Sequence, residues 1–124
     1  MEPLLSIAGI LALGLGIVHS ALGEVLLFRR MRRGRLVPSD GGTVLRARHV
    51  RILWATWHGL TVFGWAFGAI LFRLATPGGA SQGFVETVIA FAMLATSLLV
   101  LYGTKGRHPG WIVLLAIAFL VWVH

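Results

Sequence analysis

The chain has 124 residues, 57% of them hydrophobic and only 12% charged, with a mean hydropathy of +0.86. A soluble domain carries about a quarter charged residues, so this composition excludes an ordinary soluble globule, a disordered tail and a collagen-like chain. No cysteine is present, which removes disulfides, thiolate metal sites and a cysteine nucleophile, and the net charge of +7 takes its meaning from where the basic residues lie.

Leu4 to Phe28 is an apolar run of 25 residues, interrupted by Ser6, His19, Ser20, Glu24 and glycines. About 20 mostly apolar residues cross a hydrocarbon core ~30 Å thick, so this run predicts a first transmembrane helix. A signal peptide has a basic segment before a shorter apolar stretch. Here Glu2 is the charge that precedes the run, and a permanent span is expected. Residues 29–51 form a long basic connection with the turn cluster Pro38-Ser39-Asp40-Gly41-Gly42 at its centre. Thr43 to Arg51 is expected to lead helically into the second span. Ile52–Phe72 (21 residues) and Phe84–Gly103 (20 residues) predict spans two and three. A short loop holding Pro77-Gly78-Gly79 joins them. After a tight turn at residues 104–110, a shorter run from Trp111 to Val123 predicts a fourth helix, with Pro109 in its first turn.

The fold class expected is therefore an all-α integral membrane protein of one domain. It is an up-down bundle of four transmembrane helices at about 4–28, 52–72, 84–103 and 110–124, because short connections favour antiparallel neighbours. The two hairpins do not repeat in sequence, and no inverted-repeat pattern of a transporter is visible.

Lys and Arg set the orientation. Ten of the eleven lie between spans one and two or between spans three and four, and Arg73 alone lies on the other side. Basic loops stay in the cytoplasm, so both termini are expected outside and a bacterial inner membrane is the expected location. The same distribution argues against nucleic acid as the partner, since the charges mark headgroup level rather than a groove.

Two helix faces stand out. Gly9, Ala12, Gly16, His19, Ser20, Gly23 and Glu24 fall within one arc of about 140° on the first helix. On the second, Arg51, Trp54, His58, Thr61 and Trp65 recur at helical spacing beside the Gly64–Gly68 pair. Small residues permit close helix approach and polar groups avoid lipid, so these faces are expected to look inward or toward a second copy. The glycine stripe and the Gly64–Gly68 pair offer two close-approach surfaces. One is expected to serve the fold and the other a homodimer, the commonest closed assembly.

His19 and His58 are expected at one depth in the cytoplasmic half of the antiparallel pair, with Glu24 nearer the basic loop and paired to Arg51 or Arg48. Imidazole suits iron, copper and zinc, so His19 and His58 are candidate ligands for a haem or a transition metal. Glu24, His49 and His108 are the further candidates that a three- or four-ligand metal site needs. The competing expectation is a non-catalytic membrane subunit in which these polar residues only fix helix packing. Glu86 is expected to pair with Arg73, Thr96 and Ser97 to pack, and Tyr102, Trp54, Trp111 and Trp122 to anchor at interfaces.

Two local resemblances bear on a small-enzyme alternative. Arg107-His108-Pro109-Gly110-Trp111 resembles the RHPxY element of membrane isoprenylcysteine and phospholipid methyltransferases. The acidic helix that follows it in that family is not matched, since residues 111–124 hold no acid. The basic loop followed by Arg46-Ala47 resembles the MAPEG family of four-helix, glutathione-utilising membrane proteins. That resemblance implies thiol or lipid chemistry among the cytoplasmic arginines. The family's Asn and Glu of helix two are absent, because residues 52–58 read Ile-Leu-Trp-Ala-Thr-Trp-His.

Overall fold

A computed structural model describes residues 2–124 as an all-helical chain. Its helices are α1 (Pro3–Leu22), α2 (Ala47–Ala75), α3 (Gln82–Gly103) and α4 (Gly110–Val123). The first three are long and apolar enough to cross a membrane; α4 is a shorter apolar helix of 14 residues. α1 does not simply stop at Leu22. It continues through a π-helical turn, Gly23–Leu27, and a 3-10 turn, Phe28–Met31. The apolar pattern carries no sign of this change, because Val25-Leu26-Leu27 reads like more of the same helix.

α2 is longer than its apolar run at both ends. It begins at Ala47, so Arg48 and Arg51 are helical. It stops at Ala75 because Thr76 precedes Pro77 and is extended, at φ −88° and ψ 152°, as a residue before proline prefers. Ser81 caps α3 by accepting the Phe84 amide at 3.2 Å. Pro109 stands just before α4 rather than in its first turn.

The helices pack in series, α1 on α2, α2 on α3 and α3 on α4. An α1–α4 seam that would close a ring is not among the main contacts, so the expected bundle is an open row with α2 and α3 at its centre. Each neighbour pair is antiparallel. Gly9 lies against Phe72, Leu13 against Gly68, and Gly16 against Trp65. Gly59 meets Thr96, and Ser97 Oγ donates to the Trp111 carbonyl at 2.7 Å. At one end, the Glu2 amide donates to the Ala75 carbonyl at 2.8 Å and His124 lies 3.6 Å from Glu86. The basic connections lie at the other end.

The α1–α2 seam uses both glycine surfaces at once. A Cβ on Gly16 would stand 2.6 Å from Trp65 Nε1, and one on Gly68 3.2 Å from Leu13 Cδ2. The expectation that one surface is left for a second chain therefore loses its premise, since the stripe of α1 and the Gly68 face of α2 meet each other. Side chains pointing away from the row, such as Leu4, Leu11, Leu15, Phe67, Phe119 and Leu120, are exposed. That is the expected face toward hydrocarbon.

The apolar cluster of buried side chains sits at the basic end: Phe28, Val37, Trp54, Ala55 and Val100. Residues 32–46 are thus tied down rather than a free linker. The Ser39 and Asp40 amides both donate to the Met31 carbonyl at 2.9 Å. Arg33 Nε donates to Asp40 at 2.9 Å and the Gly42 amide at 3.0 Å. These two donors hold the Asp40 carboxyl below its ordinary range.

Gly23→Ala tests the seam. The new Cβ would meet Trp57 Cδ1 at 2.7 Å, and overpacking of this kind costs about 1–3 kcal/mol. Gly14→Ala, where nothing lies within 4 Å, is the matched control. Thermal melts in detergent should show a clear loss for the first and none for the second.

Candidate functional site

Glu24 is the hub of a polar cluster between α1 and α2. Its Oε1 accepts from Trp54 Nε1 at 2.9 Å and from His58 Nε2 at 2.8 Å. Its other oxygen pairs with Arg32. Trp54 and His58 are four residues apart, so they share one face of α2. Arg32 follows the π and 3-10 turns, which carry the chain back far enough for its guanidinium to reach a carboxylate eight residues earlier. The side chains of Glu24, Arg32 and His58 are 32%, 22% and 16% exposed. The ion pair is therefore partly desolvated and its partners matter.

Two ladders run from this hub along the seam. Ser20 lies one turn before Glu24. Its Oγ is 2.8 Å from His58 Nδ1 and 2.6 Å from Thr61 Oγ1, and Thr61 Oγ1 is 3.2 Å from the Gly16 carbonyl. Beside it, His19 Nε2 is 3.1 Å from the Trp57 carbonyl, and Trp57 Nε1 donates to the His19 carbonyl at 2.9 Å. The two rings stack at 4.4 Å between centroids and 8° between planes. Trp65 Nε1 donates to the Leu13 carbonyl at 3.2 Å.

The chemistry of the groups fixes two of the hydrogen-bond directions. A carboxylate oxygen accepts, so His58 donates from Nε2–H to Glu24; Thr61 donates to the Gly16 carbonyl, and Ser20 Oγ lies between His58 Nδ1 and Thr61 Oγ1. Every hydroxyl and ring nitrogen of this ladder has a partner in that arrangement.

The structure places His58 against Ser20 and Glu24, and His19 against the neighbouring Trp57. It does not bring His49 and His108 to them. Arg48 Nε donates to His49 at 3.3 Å, and His108 Nδ1 accepts the Gly110 amide at 3.1 Å at the start of α4. Among the described residues, no three His, Asp or Glu side chains come together as a metal would need. Both ring nitrogens of His58 are engaged, and the small-residue space beside His19 is filled by the indoles of Trp57 and Trp65. This donor set does not fit a haem held between His19 and His58.

Three pairings differ from expectation. Glu24 takes Arg32, while Arg51 Nη1 reaches the Gly103 carbonyl of α3 at 3.5 Å. Trp54 is buried against the hub rather than anchored at an interface. Glu86 meets Gln82 Nε2 at 2.6 Å and His124, while Arg73 turns to Thr76. Trp54 had a sequence signal, four residues before His58 on the same stripe. Arg32 had none that separated it from Arg29, Arg30, Arg33 and Arg35.

Compared with family models, curated proteins and solved structures, the chain has no significant match.

Two measurements check this cluster. Nitrogen-15 spectra of labelled His58 should show a proton on Nε2; a ring protonated at Nδ1 alone would contradict the assigned direction. Glu24→Gln leaves Arg32 without its counter-charge, and a loss of about 1–3 kcal/mol in detergent melts is expected.

Proposed function

We propose that the chain is a small inner-membrane protein in which the Glu24 cluster is a lock, holding α1, α2 and the start of the basic connection in one arrangement. On this reading it is a non-catalytic membrane module rather than a metal, haem or thiol enzyme. One observation carries it: among the described residues, no buried side-chain nitrogen or oxygen lacks a partner. A site waiting for a ligand keeps a few polar groups converging on open space. This cluster instead closes on itself.

The distribution of basic residues supports the orientation, with the basic end cytoplasmic and both termini outside. Self-association through the glycine seam is not part of this reading, because both of its surfaces are already in contact. A dimer would have to use an outward face, such as that of α4, whose buried residue is Ala118.

The test is made on the purified full chain. Metal analysis and an absorption spectrum are expected to show no stoichiometric metal and no Soret band. His58→Ala is expected to lower stability by about 1–3 kcal/mol, because it strips Glu24 and Ser20 of a partner. Stoichiometric iron, copper or zinc that disappears in His58→Ala would overturn the lock reading in favour of a ligand site.

A further inference from the structure

The basic end carries a cleft that the Glu24 cluster does not use. It lies between the start of α2 and the α3–α4 turn, with a volume of about 600 Å³. Arg48, His49, Arg51, Lys105, Arg107 and His108 line it. We propose that this cleft binds the phosphate headgroup of an anionic phospholipid, a proposal that rests on the membrane reading above.

The first argument is the missing counter-charge. The chain has four carboxylate side chains, and none is in the cleft. Glu24 is with Arg32, Asp40 with Arg33, and Glu86 with Gln82 and His124. Glu2 is at the far end, beside Ala75. Four cations therefore converge on a concave surface without a carboxylate among the residues that line it. The repulsion is felt at Lys105, whose ammonium is held below its ordinary value by Arg51 first and then by Arg35, with Arg107 adding to it. A bound anion removes that repulsion. Guanidinium groups suit a phosphate because they bind its oxygens two at a time.

The second argument is backbone geometry. Lys105 has φ +54°, the one left-handed non-glycine among the described residues. Such a conformation is disfavoured for a side-chain-bearing residue, and it clusters at binding sites. Gly106, at φ +73°, takes the next left-handed position of the same turn, and Lys105 takes the first while lining the cleft.

The third argument identifies the source of the phosphate. A neighbouring cavity of about 370 Å³ shares Arg51 and Lys105 with the cleft. Its other walls are Arg35, Leu36, Val37, Leu101 and Tyr102. Leu36 and Tyr102 are 64% and 59% exposed. The cationic cleft thus adjoins, at two shared side chains, a groove with four apolar or aromatic walls and one further arginine, matching a molecule with an anionic head and a hydrocarbon tail. Free phosphate uses the first and has no use for the second.

The experiment places the full chain in nanodiscs of phosphatidylcholine doped with a minor share of phosphatidylglycerol, and native mass spectrometry counts the lipid retained. Phosphatidylglycerol should be retained about tenfold over its share of the bilayer. Lys105→Gly removes the charge and suits the left-handed backbone, so the variant should be at least as stable as the parent while its enrichment falls several-fold. Arg107→Gln should lower it likewise. Arg30→Gln, which removes a charge at the same membrane end but outside the cleft, should leave it unchanged.

Equal retention of the two lipids overturns the proposal. So does equal loss in Arg30→Gln, which would mean a diffuse basic surface. Displacement of the lipid by millimolar inorganic phosphate would assign the cleft to free phosphate instead and also overturn it. Failure of the chain to enter phosphatidylcholine nanodiscs at all is a different result: it sinks the membrane reading itself, and the lipid site with it.

Discussion

A carboxylate two turns from the end of an apolar helix needs donors, and much of the basic end follows from how Glu24 obtains them. Hydrocarbon supplies none and an unpaired charge there costs several kcal/mol. α2 supplies an indole and an imidazole from one face, through Trp54 and His58. The remaining oxygen needs a cation, and Arg32 reaches it because α1 changes to a π turn and then a 3-10 turn before the chain leaves. π turns inside α-helices recur at functional positions; in this chain the turn serves the ion pair. The apolar cluster of Phe28, Val37, Trp54, Ala55 and Val100 then packs around the anchored segment.

The glycines and the tryptophans of the α1–α2 seam are two halves of one device. An indole is too large to lie flat between helices unless the facing residue lacks a side chain. Gly16 faces Trp65 and Gly23 faces Trp57. The close approach lets each indole N–H reach a main-chain carbonyl of α1, at Leu13 and at His19. Those carbonyls already serve the helix ladder, and their second lone pair is what the indoles use. The His19 carbonyl takes both the Trp57 indole and the Gly23 amide, directly before the ladder changes to its wider π spacing. Packing and polar bonding therefore coincide at the same residues, which is why the small-residue stripe and the polar arc shared one face in the sequence.

That coincidence also explains what was legible. Helix number, order and the inward faces were written in residue type and period, because hydrocarbon allows few alternatives. The Trp54, His58, Thr61 and Trp65 stripe read directly as a facing surface, and the shared level of His19 and His58 followed from counting along two antiparallel helices. The partner of Glu24 did not follow. Eight arginines lie between residues 29 and 51, and choosing Arg32 among them required the π turn, which is set by tertiary contacts rather than by residue type. Counting His and Glu showed that candidate ligands were present, but not that Ser20 and Glu24 engage the two ring nitrogens of His58 while Trp54 and Arg32 engage Glu24.

The placement of four acids among eleven basic residues gives the two ends of the row different characters. Two acids lie at the basic end, and each is taken by an arginine close to it in sequence: Glu24 by Arg32 and Asp40 by Arg33. Those pairs act on local structure, one closing the seam and the other shaping the connection. Arg48, Arg51, Lys105 and Arg107 come from two segments far apart in sequence, and the antiparallel packing of α2 against α3 brings them together around one cleft. A fold that only needed positive charge for orientation could leave such residues scattered, since orientation depends on their number near the span ends and not on their grouping. Their grouping around a concavity adds a position-specific attraction for anions, strongest where low-dielectric walls surround the charges. The lock at Glu24 and the cleft at Lys105 therefore give these basic residues different roles: the Arg32 guanidinium is paired to an acid and holds the helices, and four cations line a cleft that holds no acid.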